Sequence, residues 1–143
     1  MTAKEFLSMG WRAESRIDKR SEELQHLRER AEAVRSSAPR QGARGGRRAD
    51  WTDAVAALAD AEARLCADIA RLYHTRKAID EAIETVPVIN QRRVLEMRYR
   101  NYMTWEDIAR EIPCDVRTVY RLHGRGLMYI HVPAGIERPA LPD

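Results

Sequence analysis

Residues 104–130 read TWEDIAREIPCDVRTVYRLHGRGLMYI, and this stretch decides the fold. Thr104 is followed three residues later by Asp107, a pattern that approximates a capping box and predicts the start of a helix. Apolar residues then recur at helical spacing until Pro113 and Cys114 interrupt them with a short turn. Asp115 is a good N-cap for a last helix that extends to about Ile130. The sequence therefore predicts two helices joined by a turn of a few residues.

Two helices joined in this way, with the small residue Ala109 where they approach each other, follow the helix-turn-helix plan. In that plan the final helix lies in the major groove of DNA, and its N-terminal residues contact the base edges. Val119 and Leu122 are expected to face inward. The outward residues near the start of the helix are predicted to read bases: Arg117, Thr118 and Arg121.

Arginine suits this role because its planar guanidinium group donates two hydrogen bonds to O6 and N7 of guanine. Other arginines of the region are predicted to contact DNA phosphates instead. These are Arg92, Arg93, Arg98, Arg110 and Arg125. The alternative interpretation is that all of them solvate the outside of a small helical domain.

Two long helices are predicted upstream, because apolar or small residues recur at spacings of three and four from Ala3 to Val34 and again from Val55 to Val86. Arg20 interrupts the first seam. Asp50 or Thr52 is expected to cap the second helix. The second seam consists of Val55, Leu58, Leu65, Ile69, Leu72, Ile79, Ile83 and Val86, and it is broken by Glu62 and Arg76. Pro87 is expected to end this helix.

Between the two long helices, residues 36–49 read SSAPRQGARGGRRA and have no apolar periodicity. A flexible loop over 36–50 is predicted from the glycines and the proline. Its four arginines either solvate the loop or follow the DNA backbone: Arg40, Arg44, Arg47 and Arg48.

The expected fold is all-α. Residues 1–86 form a long, coiled-coil-like arm of two helices, residues 87–130 form a three-helix, helix-turn-helix DNA-binding domain, and residues 131–143 form a tail. Neither long helix can bury its apolar stripe alone, so the two seams pair either within one chain or across a homo-oligomer. The sequence leaves both arrangements open.

The composition argues against other classes. The net charge is +3, and the two cysteines, Cys66 and Cys114, form no cluster with the four histidines, so neither a disulfide framework nor a metal site is expected. A helix-surface position is the default for His123. The sequence has no catalytic constellation, so an enzyme or a cofactor is not expected. No apolar stretch approaches the roughly 20 residues that span a bilayer, and a cytoplasmic protein is expected.

The segments RRVLEMRYRNYMTWEDIAREI, from Arg92 to Ile112, and RTVYRLHGRGL, from Arg117 to Leu127, resemble the region-4 helix-turn-helix of sigma factors. The resemblance is most specific to small phage-encoded sigma-region-4-like regulators of the RinA and ArpU type. It implies a transcriptional activator that binds double-stranded DNA and engages host RNA polymerase. In the sigma pattern, the positions of Arg117 and Arg121 face promoter bases.

Two other functions remain open. A small-terminase-like subunit for DNA packaging also joins a helix-turn-helix to oligomerising helices, although its DNA-binding part usually comes first. A protein-binding module would use the same helices to grip RNA polymerase without reading DNA.

Overall fold

The computed structural model describes residues 1–36 and 46–136, except for the side chain of Arg47. The predicted all-helical class is confirmed, because the described residues form helices and no strand. The helices are α1 (Ala3–Ser36), α2 (Gly46–Glu84), α3 (Ile89–Tyr99), α4 (Trp105–Glu111) and α5 (Val116–Leu127). No helix of the described part is long and apolar enough to cross a membrane.

The starts of α4 and α5 follow the local capping signals. The Thr104 hydroxyl accepts a hydrogen bond from the Asp107 N–H at 3.2 Å. The Asp115 carboxylate accepts one from the Thr118 N–H at 2.9 Å. Each side chain satisfies an N–H group that a helix start leaves without a partner, which confirms both predicted caps.

The start of α2 was predicted wrongly. The helix begins at Gly46, so residues 46–50 continue the helix instead of belonging to the loop. Asp50 and Thr52 therefore lie inside α2, and the Thr52 hydroxyl donates to the Arg48 carbonyl oxygen at 2.9 Å. Alanine and arginine have high helix propensity, and RRA at 47–49 extends the helix toward its N-terminus. The prediction about Arg40 and Arg44 lies outside the described residues.

The chain divides into two compact units, one formed by residues 13–71 and the other by the segments on either side of them. In the larger unit, the described residues are 1–12 and 72–136. One of its apolar cores joins the start of α1, the end of α2 and α3 through Phe6, Leu7, Ile79, Ile83, Val86, Leu95, Tyr99 and Ile130. Val132 and Ile136 of the predicted tail pack against this core.

A second core of the larger unit lies among α3, α4 and α5. Its buried members are Val94, Ile108, Ala109, Ile112 and Val119. Ala109 was predicted to be the small residue between α4 and α5, and it is buried there. Ile89, the first residue of α3, is exposed.

In the smaller unit, residues 13–71, α1 and α2 run antiparallel, since Arg20 pairs with Asp68 and Arg28 pairs with Glu62. The predicted seam is wrong at two positions. Val55 and Ile69 are 42% and 49% exposed, whereas Ala61 and Asp68 are buried. A seam chosen by side-chain hydrophobicity favours the large apolar residues, but here the inward register is held by a small residue and by a carboxylate whose charge Arg20 and Arg71 compensate.

Candidate nucleic-acid interface

Helix α5 is fixed to α3 and α4 along one side. Val119 is fully buried in the second core. A Cβ atom on Gly126 would lie 3.1 Å from Leu95 Cδ1, so the absence of a side chain at residue 126 allows α5 to approach α3 closely. At Gly124 a Cβ atom would meet nothing within 4 Å. Glycine lowers helix propensity at both positions. Gly126 has a packing role that offsets this cost, whereas Gly124 lies on the exposed side of α5.

The opposite side of α5 is exposed and basic. Arg117 and Arg121 are one helical turn apart, and Arg125 follows after one more turn. All three arginines are exposed, as are Tyr120 and Gly124. No acidic residue occurs between Val116 and Leu127. This face therefore presents positive charge in three successive turns.

The described ion pairs of the larger unit leave this face out, although the Asp115 carboxylate at the start of α5 attracts Arg121. Among the described ion pairs of this unit, Arg100 Nε lies 3.0 Å from Asp80 Oδ1, and Arg110 Nη1 lies 3.2 Å from Asp107 Oδ1. In the described part of the chain, none of these ion pairs engages an arginine of α5. The guanidinium groups of α5 can therefore donate to a ligand without breaking an internal ion pair.

Thr118, predicted to read bases, takes part in the cap of α5. It is half-buried, and both its side chain and its N–H hydrogen-bond to Asp115. These hydrogen bonds, the side-chain one first, hold the pKa of the Asp115 carboxyl below its ordinary value. Thr118 is thus less exposed than Arg117 and Arg121, and its predicted contact with bases stays a prediction.

The arginines predicted to contact phosphates differ in their exposure and in their partners within the protein. Arg93 and Arg125 are exposed, and Arg110 is exposed but paired with Asp107. Arg92 is half-buried.

Arg98 is engaged inside the protein. Its Nη1 donates to the Met103 carbonyl oxygen at 2.8 Å, and its guanidinium carbon lies 4.4 Å from the centre of the Trp105 ring. The hydrogen bond and the cation–π contact fix Arg98 against the start of α4. A phosphate contact by Arg98 would have to be made from this fixed position.

The sequence analysis did not predict a cluster of aromatic rings and His123 that packs against α5. His123 is 8% exposed, and its Nε2 shares a hydrogen bond of 2.6 Å with the Tyr99 hydroxyl. Trp105 packs edge-on against both His123 and Tyr120, with ring centres 4.8 and 5.1 Å apart. The expectation that His123 lies on the helix surface is therefore wrong. Its position four residues after the inward Val119 was the available signal.

The buried pair is electrically neutral near pH 7. Burial, together with the smaller effects of the Lys4 and Arg98 charges, lowers the pKa of His123 to about 4. Burial raises the pKa of Tyr99 to about 12, against an opposing effect of Arg98. A neutral tyrosine and a neutral histidine can be buried together because each satisfies the other's hydrogen-bonding group.

The residues that the structure describes include no group of three or more His, Cys, Asp or Glu side chains that could hold a metal ion.

The fold and the exposed side of α5 define an all-helical protein with a basic helix near its C-terminal end. Residues 11–124 match the family model described as "Protein of unknown function (DUF722)", and the chain belongs to this family. The matched range extends from α1 into α5 and includes Arg117 and Arg121. No curated protein and no solved structure matches the chain.

Proposed function

We propose that this chain is a sequence-specific DNA-binding regulator of transcription that places α5 in the major groove. The observation that carries the proposal is the exposed face of α5, where Arg117 and Arg121 stand one turn apart and form no ion pair with a described carboxylate. Each guanidinium group is suited to donate two hydrogen bonds to one guanine.

The arrangement of α4 and α5 supports this function. α4 ends at Glu111 and α5 begins at Val116, with Ala109 buried between the two helices. A short first helix, a turn and an exposed second helix match the helix-turn-helix plan, in which the second helix enters the groove. Residues 87–130 are the proposed DNA-binding domain, and the two long helices form the proposed arm.

The sequence resemblance to sigma region 4 supports a more specific role. We infer a phage activator that works with host RNA polymerase in the bacterial cytoplasm. Arg125 and Arg93 are the proposed phosphate contacts, because both are exposed and can approach the DNA backbone.

Selection of duplexes from a random pool tests the proposal. The full chain is expected to enrich one motif, and the double variant Arg117→Ala/Arg121→Ala is expected to lose it. The control is Arg30→Ala/Arg35→Ala, which removes the same charge from exposed positions of α1 and should retain the motif.

Failure of the unaltered chain to enrich any motif would contradict sequence-specific binding. If the chain then captured purified bacterial RNA polymerase in the absence of DNA, a protein-binding module would replace the regulator as the best account.

A further inference from the structure

The larger unit contains a half-open cavity of about 330 Å³ beside the start of α4. Two cationic side chains and four aromatic ones line it: Lys4, Arg98, Trp11, Tyr99, Tyr102 and Trp105. The volume lies near the lower end of the range of about 300–1,000 Å³ that is typical of small-molecule sites. A ligand with one ring system and one charged group has a suitable size.

The charge of the cavity favours an anion. In the described part of the chain, the residues that line it include Lys4 and Arg98 but no carboxylate. Both cations also disfavour protonation of His123, which lies behind Tyr99, so their positive potential extends through the wall of the cavity. An anionic ligand would compensate the positive charges of Lys4 and Arg98, which both line this cavity.

The aromatic side chains of the cavity favour a planar ligand. Trp11 lines the cavity and is 58% exposed. Trp105 is held in place by Arg98 on one side and by Tyr120 and His123 on others. An exposed indole next to fixed aromatic rings offers a surface on which a planar ring can stack.

The segment after α3 adds a further sign of a shaped site. Tyr102 has a φ of 55°, in the left-handed region that non-glycine residues seldom adopt. This conformation lies in the turn between α3 and α4, and Tyr102 contributes to the cavity wall. Such strain persists where the surroundings fix it, and it concentrates at functional sites.

We infer that this cavity binds a small ligand that carries one planar aromatic ring system and one anionic group, such as a nucleoside monophosphate. The ring stacks on Trp11, and the anionic group pairs with Lys4 and Arg98. Because the inference concerns the cavity and not the exposed face of α5, it stands or falls separately from DNA binding.

Calorimetric titration of the full chain with AMP and with 4-hydroxybenzoate tests the inference, with adenosine and inorganic phosphate as comparison ligands. Saturable binding of at least one of the two aromatic anions is expected. Adenosine and phosphate should each bind at least about tenfold more weakly than AMP, because each lacks one of the two groups that the cavity recognises.

Matched variants locate the site. Lys4→Gln and Trp11→Ala should each weaken binding of the aromatic anion about tenfold or more. Lys19→Gln and Trp51→Ala change exposed residues of the same types outside the cavity and should leave the affinity unchanged. All four substitutions are at exposed positions, and circular dichroism checks that the variants retain their helices.

The inference is overturned if neither aromatic anion binds at millimolar concentration, or if AMP binds and adenosine or phosphate binds as tightly as AMP does. It is also overturned if Lys4→Gln and Trp11→Ala bind like their controls.

Discussion

Burial of neutral His123 makes the stability of the protein sensitive to acid, and His123→Gln should remove that sensitivity. In the unfolded chain a histidine has a pKa of 6.5, whereas burial lowers the pKa of His123 to about 4 in the folded protein. Between these two values the unfolded chain binds a proton that the folded protein does not bind. The contribution of His123 to stability is therefore complete above pH 6.5 and is lost as the pH falls to 4.

The size of the effect follows from the two pKa values. At about 1.4 kcal/mol for each pH unit, the interval from 6.5 to about 4 corresponds to about 3 kcal/mol of unfolding free energy. At pH 7, His123→Gln loses the ring contacts with Tyr99 and Trp105, and the amide that replaces the ring does not titrate. At pH 4 the unaltered chain has lost most of this stability advantage over His123→Gln, because its histidine takes up a proton on unfolding and this uptake stabilises the unfolded chain.

Urea unfolding followed by circular dichroism at pH 7 and pH 4 measures this difference. The stability gap between the unaltered chain and His123→Gln should be about 3 kcal/mol larger at pH 7 than at pH 4. His26→Gln is the control for the loss of a histidine, since the His26 side chain is 79% exposed and lies outside the Tyr99–His123 cluster. A gap for His123→Gln that is equal at both pH values would refute the reasoning, because His123 would then titrate as an exposed histidine does.

Three other substitutions test the packing. Gly124→Ala should stabilise the protein by about 0.5–1 kcal/mol through helix propensity, since its Cβ atom meets nothing, whereas Gly126→Ala should be less stable than Gly124→Ala because its Cβ atom displaces Leu95. Thermal unfolding of the two variants checks their order, and the reverse order would contradict the close approach of α5 to α3. Arg20→Ala should lower the unfolding free energy by about 1–3 kcal/mol because it leaves the buried Asp68 with Arg71 alone. Exposed Arg30→Ala is the control, and equal losses in urea unfolding would show that the Arg20–Asp68 pair contributes nothing specific.

The parts of the fold that could be predicted depend on neighbours in sequence. The caps Thr104 and Asp115 each bind a backbone N–H three residues ahead, so a few letters contain the whole interaction. The spacing that makes Ile108 and Val119 inward residues is equally local. Helix class and the starts of α4 and α5 were therefore accessible from the sequence.

The remaining features depend on residues that are distant in sequence. Asp68 can lie inward only because Arg20, 48 positions away, compensates its charge, and no local pattern indicates that partner. The same holds for the cavity, where Lys4 and Trp11 of α1 meet Arg98 of α3. His123 is an intermediate case. It was predicted at the helix surface although its spacing from Val119 indicates the inner face, and its partner Tyr99 lies on another helix.

The most direct test of the central claim is the affinity of α5 variants for two duplexes at one salt concentration. One duplex carries the motif selected by the unaltered chain, and the other carries the same bases in scrambled order. Arg117→Ala and Arg121→Ala should each cost about 1–3 kcal/mol on the selected duplex and much less on the scrambled one, while Arg125→Ala should weaken both alike. Equal losses on both duplexes for Arg117→Ala and Arg121→Ala would contradict the account, because α5 would then bind DNA without reading its sequence.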